Sequence, residues 1–371
     1  MKSRPKRQPF VPGLDLAESF FYEVVRPILD ACFPGLPYSA ALIGGGSEVL
    51  GFDTEMSTDH HWGPRVMLFL RPEDWRPRRK DVHDLLALKL PVAFRGYSKN
   101  FAVPDPADHG VQTLRPAAAG PVNHRVEVFT LGGFFRDYLG VDIGRKLDEP
   151  DWLTLPQHKL RSLTAGRVFH DGVGLEKIRK RLAWYPQDVW LFMLASLWQR
   201  IGQEEHLMGR AGLVGDEIGS AIIGSRLARD IMRLAFLMER EYPPYAKWFG
   251  TAFARLKSAG KLSPLLEKIV HAESWQEREK HLVRSYSLLA KMHNDLGITK
   301  PLPTAVSSFW GRPFKVIKGE YFSSALLAKI PDPPLTELLK RSPIGGIDIF
   351  SDNTDLLEDP AFRPALRRLF E

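Results

Sequence analysis

Only one cysteine, Cys32, occurs in 371 residues. An intrachain disulfide and a thiolate zinc cluster are both excluded on that count. No uninterrupted apolar run reaches the roughly 18 residues that suggest a bilayer-spanning helix, so the sequence offers no transmembrane segment and no membrane partner. The opening Met1-Lys2-Ser3-Arg4-Pro5-Lys6-Arg7 is basic and runs into mixed sequence rather than an apolar signal core, which makes a cytoplasmic location the expectation. Internal repeats and long low-complexity stretches are absent as well. What charge there is leans positive, with a net charge of +7. That balance favours acidic partners such as nucleotides or nucleic acid, though weakly. The runs Arg76 to Lys80, Lys177 to Arg181 and Arg367-Arg368 read as solvated basic faces.

The chain is long enough for two domains and a large core. From Leu14 to Cys32, apolar residues fall at helical spacing (Leu16, Phe20, Val24, Ile28, Cys32), which makes Cys32 a small core residue. Ser39 to Ile43 has strand length and is stopped by Gly44 to Gly46. Arg65 to Leu70 is apolar on both parities and suits a strand buried on both faces. Asp81 to Leu90 reads as a helix, Val103 to Pro121 as a loop, and Arg125 to Leu131 as a third, alternating strand. From about Leu155 the pattern turns helical, with amphipathic segments at Gln187 to Arg200, Ser220 to Glu239, Tyr245 to Leu256 and Ser274 to Leu296. The expected class is α+β: a small mixed-sheet domain over residues 10–145, then a helical bundle over 150–300 and a partly irregular segment over 301–371.

The chemistry concentrates between Ile43 and Gly63. A glycine turn after a strand lets the backbone N–H groups of Gly45, Gly46 and Ser47 approach phosphate oxygens without side-chain obstruction. Asp59 and His61, two apart at the expected opening of the next strand, would share one face of the sheet. Such a pair can hold Mg²⁺ or Mn²⁺ against an NTP, with Glu127 of the third strand as the further acid beside Arg125 and Phe129. Arg65 and, from the helical part, Lys247 are candidate phosphate contacts; Arg95 and Lys99 are weaker ones. His60, His61, His83, His109 and His124 have no compact ligand spacing, and all except His61 read as surface or loop residues. Trp62 reads as a packing residue.

A Gly-Ser turn followed by an acid pair resembles the nucleotidyltransferase superfamily that includes DNA polymerase beta and the aminoglycoside nucleotidyltransferases. Within it, Gly46-Ser47-Glu48-Val49-Leu50-Gly51-Phe52-Asp53, Ser57-Thr58-Asp59-His60-His61-Trp62-Gly63-Pro64-Arg65 and Tyr242-Pro243-Pro244-Tyr245-Ala246-Lys247-Trp248-Phe249 are similar to the DUF4037 group of bacterial proteins. The resemblance implies a nucleotidyltransferase-like first domain, Gly46 and Ser47 on a triphosphate and Asp59 as a metal ligand. Catalysis would then rest on Asp59 and Glu127, with NMP passing to a hydroxyl acceptor, a small molecule in preference to RNA or protein, in an interdomain cleft. The chain departs from the pattern at His61, which stands where a second acid is expected and supplies no negative charge; Asp53 or Glu55 would have to replace it. The alternative is therefore a catalytically altered or inactive nucleotide-binding module. A third reading rests on Arg200-Ile201-Gly202-Gln203-Glu204-Glu205-His206, whose Arg-to-His spacing is similar to that of HEPN-type ribonucleases; its plain alternative is a solvated helix end.

Overall fold

The computed structural model describes residues 10–108, 110–331 and 341–371; the basic opening Met1–Arg7 and His109 lie outside them. The chain forms two compact units. The first is the described part of Met1–Lys146 with Lys159–Ala183, the second Leu147–His158 with the described part of Trp184–Glu371.

The first unit is built on a mixed four-stranded sheet of β1 (Tyr38–Leu42), β2 (Arg65–Leu70), β3 (Arg125–Thr130) and β4 (Arg167–Asp171). The spatial order is β3-β2-β1-β4, with β3 parallel to β2 and the other pairings antiparallel. Strand alternation sorts the residues by face. Ala40, Leu42, Val66, Leu68, Leu70, Val126 and Val128 enter one core with Phe20, Val25, Leu29 and Leu86 from the helical segments. Arg65, Met67 and Phe69 sit in register with Arg125, Glu127 and Phe129 on the other face. The class is α+β, as expected, and the first three strands fall where the apolar runs placed them. The fourth was hidden in sequence that reads as helical.

Two local departures have physical causes. The first helical segment runs as α-helix Gly13–Phe20, a π turn Phe21–Val25, and α-helix Arg26–Cys32. A π turn inserts extra chain into the helical repeat, so the buried row passes from Leu16 and Phe20 to Phe21, Val25 and Leu29 instead of to Val24 and Ile28. Cys32 is thereby turned to solvent, against the expectation of a core residue. The helix after β2 covers Pro72–Lys89, starting nine residues before its apolar pattern, because Pro72 at the first helical position and Glu73 and Asp74 in the first turn favour initiation there.

The second unit packs helices around Gln187–Glu204, in which every residue from Val189 to Trp198 is buried. A helix apolar on all sides belongs at the centre of its unit. The helix Gly319–Leu327 crosses it closely: a Cβ on Gly319 would lie 2.3 Å from the Trp198 carbonyl oxygen. Helices Glu217–Met238, Ala259–His271 and Trp275–Asp295 are the other long helices of its described part. After Pro243-Pro244 the expected single helix is a 3₁₀ turn, Ala246–Trp248, followed by Phe249–Phe253. No described helix is long and apolar enough to cross a membrane.

Candidate functional site

The glycine turn leaves β1 at the end of the sheet where β2 and β3 begin. The Gly44 N–H donates to the Ser162 carbonyl (3.0 Å), and Phe52 and Gly51 donate back to Ser47 and Glu48. None of these bonds uses the N–H of Gly45, Gly46 or Ser47. Gly46 is required where it stands: its φ is +140°, and a Cβ there would meet the Glu48 carboxylate at 2.6 Å. Gly45 is different, since it is exposed and a Cβ on it would meet nothing within 4 Å.

Beneath the turn, Arg65 is buried and ion-paired with buried Glu48, and its guanidinium also donates to the Gly45 carbonyl (3.3 Å). Arg65 thus fastens the turn to β2 instead of presenting a free cation. Beside it on β3, Arg125 donates to the His61 ring at Nδ1 (2.7 Å) and lies 3.5 Å from Glu127. Burial and then the Arg125 charge push the His61 ring below its ordinary pKa, with Arg65 and His60 adding to the effect. His61 is therefore neutral at pH 7, accepts at Nδ1 and carries its proton on Nε2. The two guanidiniums are each paired with a carboxylate, Arg65 with Glu48 and Arg125 with Glu127, although Arg65 Nε is buried with no partner among the described residues. Arg125 and Glu127 also line an open cavity of about 560 Å³ along the free edge of β3, with Arg79 and Lys80 on its rim.

The expected metal centre is not assembled. Residues Asp59 and His61 do not open a strand: Asp59 ends a 3₁₀ turn, Glu55–Asp59, and β2 starts only at Arg65, after Gly63 (φ +148°) and Pro64. His61 itself has φ +50°, so the two-residue alternation that would align it with Asp59 is lost. The Asp59 carboxylate binds the adjacent His60 ring in solvent. Among the described residues, no group of three or more His, Cys, Asp or Glu side chains is placed to hold a metal ion. With a guanidinium on the His61 nitrogen and beside Glu127, the residues here do not fit Mg²⁺ or Mn²⁺. Asp53 does not replace the missing acid, since its carboxylate accepts from the Gly13 N–H (2.7 Å) and the Trp62 indole (2.9 Å).

Other candidates separate in the same way. Trp62 packs, buried against Phe10 and Tyr97. Lys99 is completely buried, its ammonium 4.8 Å over the Phe20 ring, which removes it as a phosphate contact; burial pushes it down to about 8. Arg95 pairs with Glu23. His124 is a loop residue as expected but is buried, receiving the Val126 N–H (3.0 Å) and donating to the His83 carbonyl (3.0 Å); burial lowers it to about 4. Lys247, in the second unit, is exposed with its ammonium 5.0 Å from the Trp248 ring centre. Arg200 pairs with buried Asp230 (2.8 Å), and His206 stacks on Phe309 (4.1 Å between ring centres). Glu205 is no solvated helix end: it is buried and accepts the Lys318 N–H (3.0 Å) at the start of helix Gly319–Leu327. These assignments leave the ribonuclease reading without its catalytic pair.

Comparison with known proteins bears on a segment that includes residues of both units. Residues 152–249 match the family model described as a domain of unknown function, DUF4037. The resemblance to that group therefore stands over a segment that ends with Tyr242–Phe249, while the glycine turn lies outside it. No curated protein matches the chain. Among solved structures, a nucleotidyltransferase-like protein from Exiguobacterium sibiricum 255-15 is 12% identical, over 87% of this chain and 85% of that one, with a TM-score of 0.36.

Proposed function

We propose that the first unit is a nucleotide-binding module that holds phosphate on the Gly45–Ser47 turn and does not carry metal-dependent nucleotidyl transfer. The observation behind this reading is the turn itself: consecutive N–H groups that its own bonds leave unused, an exposed Gly45, and an arginine fixing its carbonyl side. Backbone N–H groups in such a turn form a concave donor surface for phosphate oxygens. Because Arg65 and Arg125 are balanced by Glu48 and Glu127, these donors and not net charge would set the affinity. Transfer is disfavoured by the donor set, in which Asp59 serves His60 and the His61 nitrogen serves Arg125. The ligand is an NTP or another phosphorylated nucleotide, and an acceptor has no part in the scheme.

Calorimetric titration with ATP, GTP, CTP and UTP, in EDTA and then in Mg²⁺ or Mn²⁺, tests the proposal. Binding is expected without metal. Since Gly45 has open space and no left-handed φ, Gly45→Asp should leave the fold intact. It should weaken binding about tenfold or more by setting a carboxylate against the phosphates. Absence of binding by every NTP would sink the reading. Transfer of label from an NTP under Mg²⁺ or Mn²⁺, abolished by Asp59→Ala, would replace it with the enzymatic one.

A further inference from the structure

The second unit contains a cavity of about 360 Å³. One wall is Pro243, Pro244, Tyr245 and Phe249, the segment that closes the DUF4037 match. Facing into the same space are Arg229 and Arg233, four residues apart on helix Glu217–Met238 and so on one side of it. Both arginines reach a single carboxylate: Arg229 to Asp352 at 2.6 Å and Arg233 to the other oxygen at 3.3 Å. That carboxylate belongs to the link between the short helices Ile347–Phe350 and Thr354–Glu358 and is 57% exposed. Among the described residues, Arg229 Nε and Arg233 Nη1 have no hydrogen-bond partner, and both atoms are covered by protein, so the terminal nitrogens now held by Asp352 are the ones a ligand can reach.

We infer that this cavity is a binding site for a small ligand carrying a phosphate or carboxylate on a flat apolar body, and that Asp352 occupies the anion position in its absence. Guanidinium forks match planar carboxylates and phosphates through paired N–H donors, and buried donors left unmade are unfavourable. Asp352 gives each arginine one hydrogen bond, and an oxyanion taking its place can bridge the same two guanidiniums. The proline–aromatic wall supplies the apolar contact beside it. The Asp352 contact is weak enough to be exchanged, since an ion pair with a half-exposed partner is screened and contributes little. The buried carboxylate in the cavity, Asp348, accepts the Gln157 N–H (3.0 Å), and its charge also acts on Arg233. His158 is taken by Glu358 (2.9 Å). This site is independent of the glycine turn.

Calorimetry on the full chain with inorganic phosphate, phenyl phosphate and benzoate as probes tests it. Phenyl phosphate or benzoate should bind more tightly than inorganic phosphate, and the better of the two identifies the oxyanion. Asp352→Asn takes the charge from the internal competitor and should tighten binding about threefold, the reverse of what loss of a ligand contact does. The pair Arg229→Gln/Arg233→Gln should weaken it about tenfold or more. If that pair fails to fold, the Asp352→Asn comparison alone decides. Absence of binding to all three probes in both wild type and Asp352→Asn overturns the inference, as does affinity unchanged by the arginine replacements.

Discussion

Two arginine sites can be set side by side. In the first unit, Arg65 and its partner Glu48 are both buried, 9% and 4% exposed at the side chain, under a turn that the sequence advertises. In the second, Arg229 and Arg233 share Asp352, which is 57% exposed and comes from a region no motif marks. The lesson is that an arginine's availability to a ligand is set by how firmly its present partner is held, and burial of that partner decides this. The advertised arginine is structural. The unadvertised pair is exchangeable.

The largest effect that bears on this contrast is the loss of Arg65. Arg65→Ala leaves Glu48 as a buried carboxylate without its counter-ion, and removal of one partner of such a pair is expected to cost about 3–5 kcal/mol. Urea unfolding followed by circular dichroism measures it. The double replacement Glu48→Leu/Arg65→Met should recover most of the loss, because neither charge is then left alone. If Arg65→Ala unfolds with the wild type, Arg65 is not structural and the contrast between the two sites is broken.

Lys99 sharpens the same point by having no ionic partner among the described residues. Its ammonium is buried among Phe20 and Phe94 and makes no hydrogen bond. Burial brings its pKa from 10.5 to about 8. The unfolded chain therefore binds the proton more tightly between about pH 8 and 10.5. Stability is reduced below pH 8 and recovers as the pH rises through that window. Lys99→Met keeps the volume and removes the charge. We expect it to stabilise the protein at pH 7 by on the order of 2 kcal/mol and to abolish the rise above pH 8. Thermal unfolding of both forms at pH 7 and pH 10 checks this; a destabilised Lys99→Met, or an unchanged alkaline slope, would show the ammonium to be well satisfied.

Legibility in the sequence followed the range of the interactions. Strands β1, β2 and β3 and the amphipathic helices were readable because alternation and helical spacing are local. Strand β4 was not, since its five residues carry no clean alternation and it is defined by pairing with β1. Cys32 was misplaced by a single π turn, which a fixed helical period cannot register. The turn residues Gly45, Gly46 and Ser47 were found from type and order alone. The grouping of Asp59, His61 and Glu127 was not, because it assumed that β2 begins before Gly63 and because Arg125, named only as a neighbour on the strand, decides what His61 binds. The cavity at Arg229 and Arg233 left two traces in the sequence: the Tyr242–Phe249 motif that supplies its wall, and two arginines four apart on a helix read only for its apolar side.

The smallest expected effect on stability is also the most discriminating. Asp352→Asn gives up a carboxylate that two arginines share, yet the pair is open to solvent on the aspartate side. Screening and the entropy of holding long side chains limit such contacts, so unfolding should shift by no more than about 0.5 kcal/mol. The asparagine carbonyl still accepts from one guanidinium, which limits the loss further. Set against the several kcal/mol expected at Arg65, this near-silence in urea unfolding, together with tighter oxyanion binding, separates a contact that holds the fold from one that holds a place. A loss at Asp352 comparable with that at Arg65 would mean that the second arginine pair is also structural, and that the exposure of its partner is a poor guide to its role.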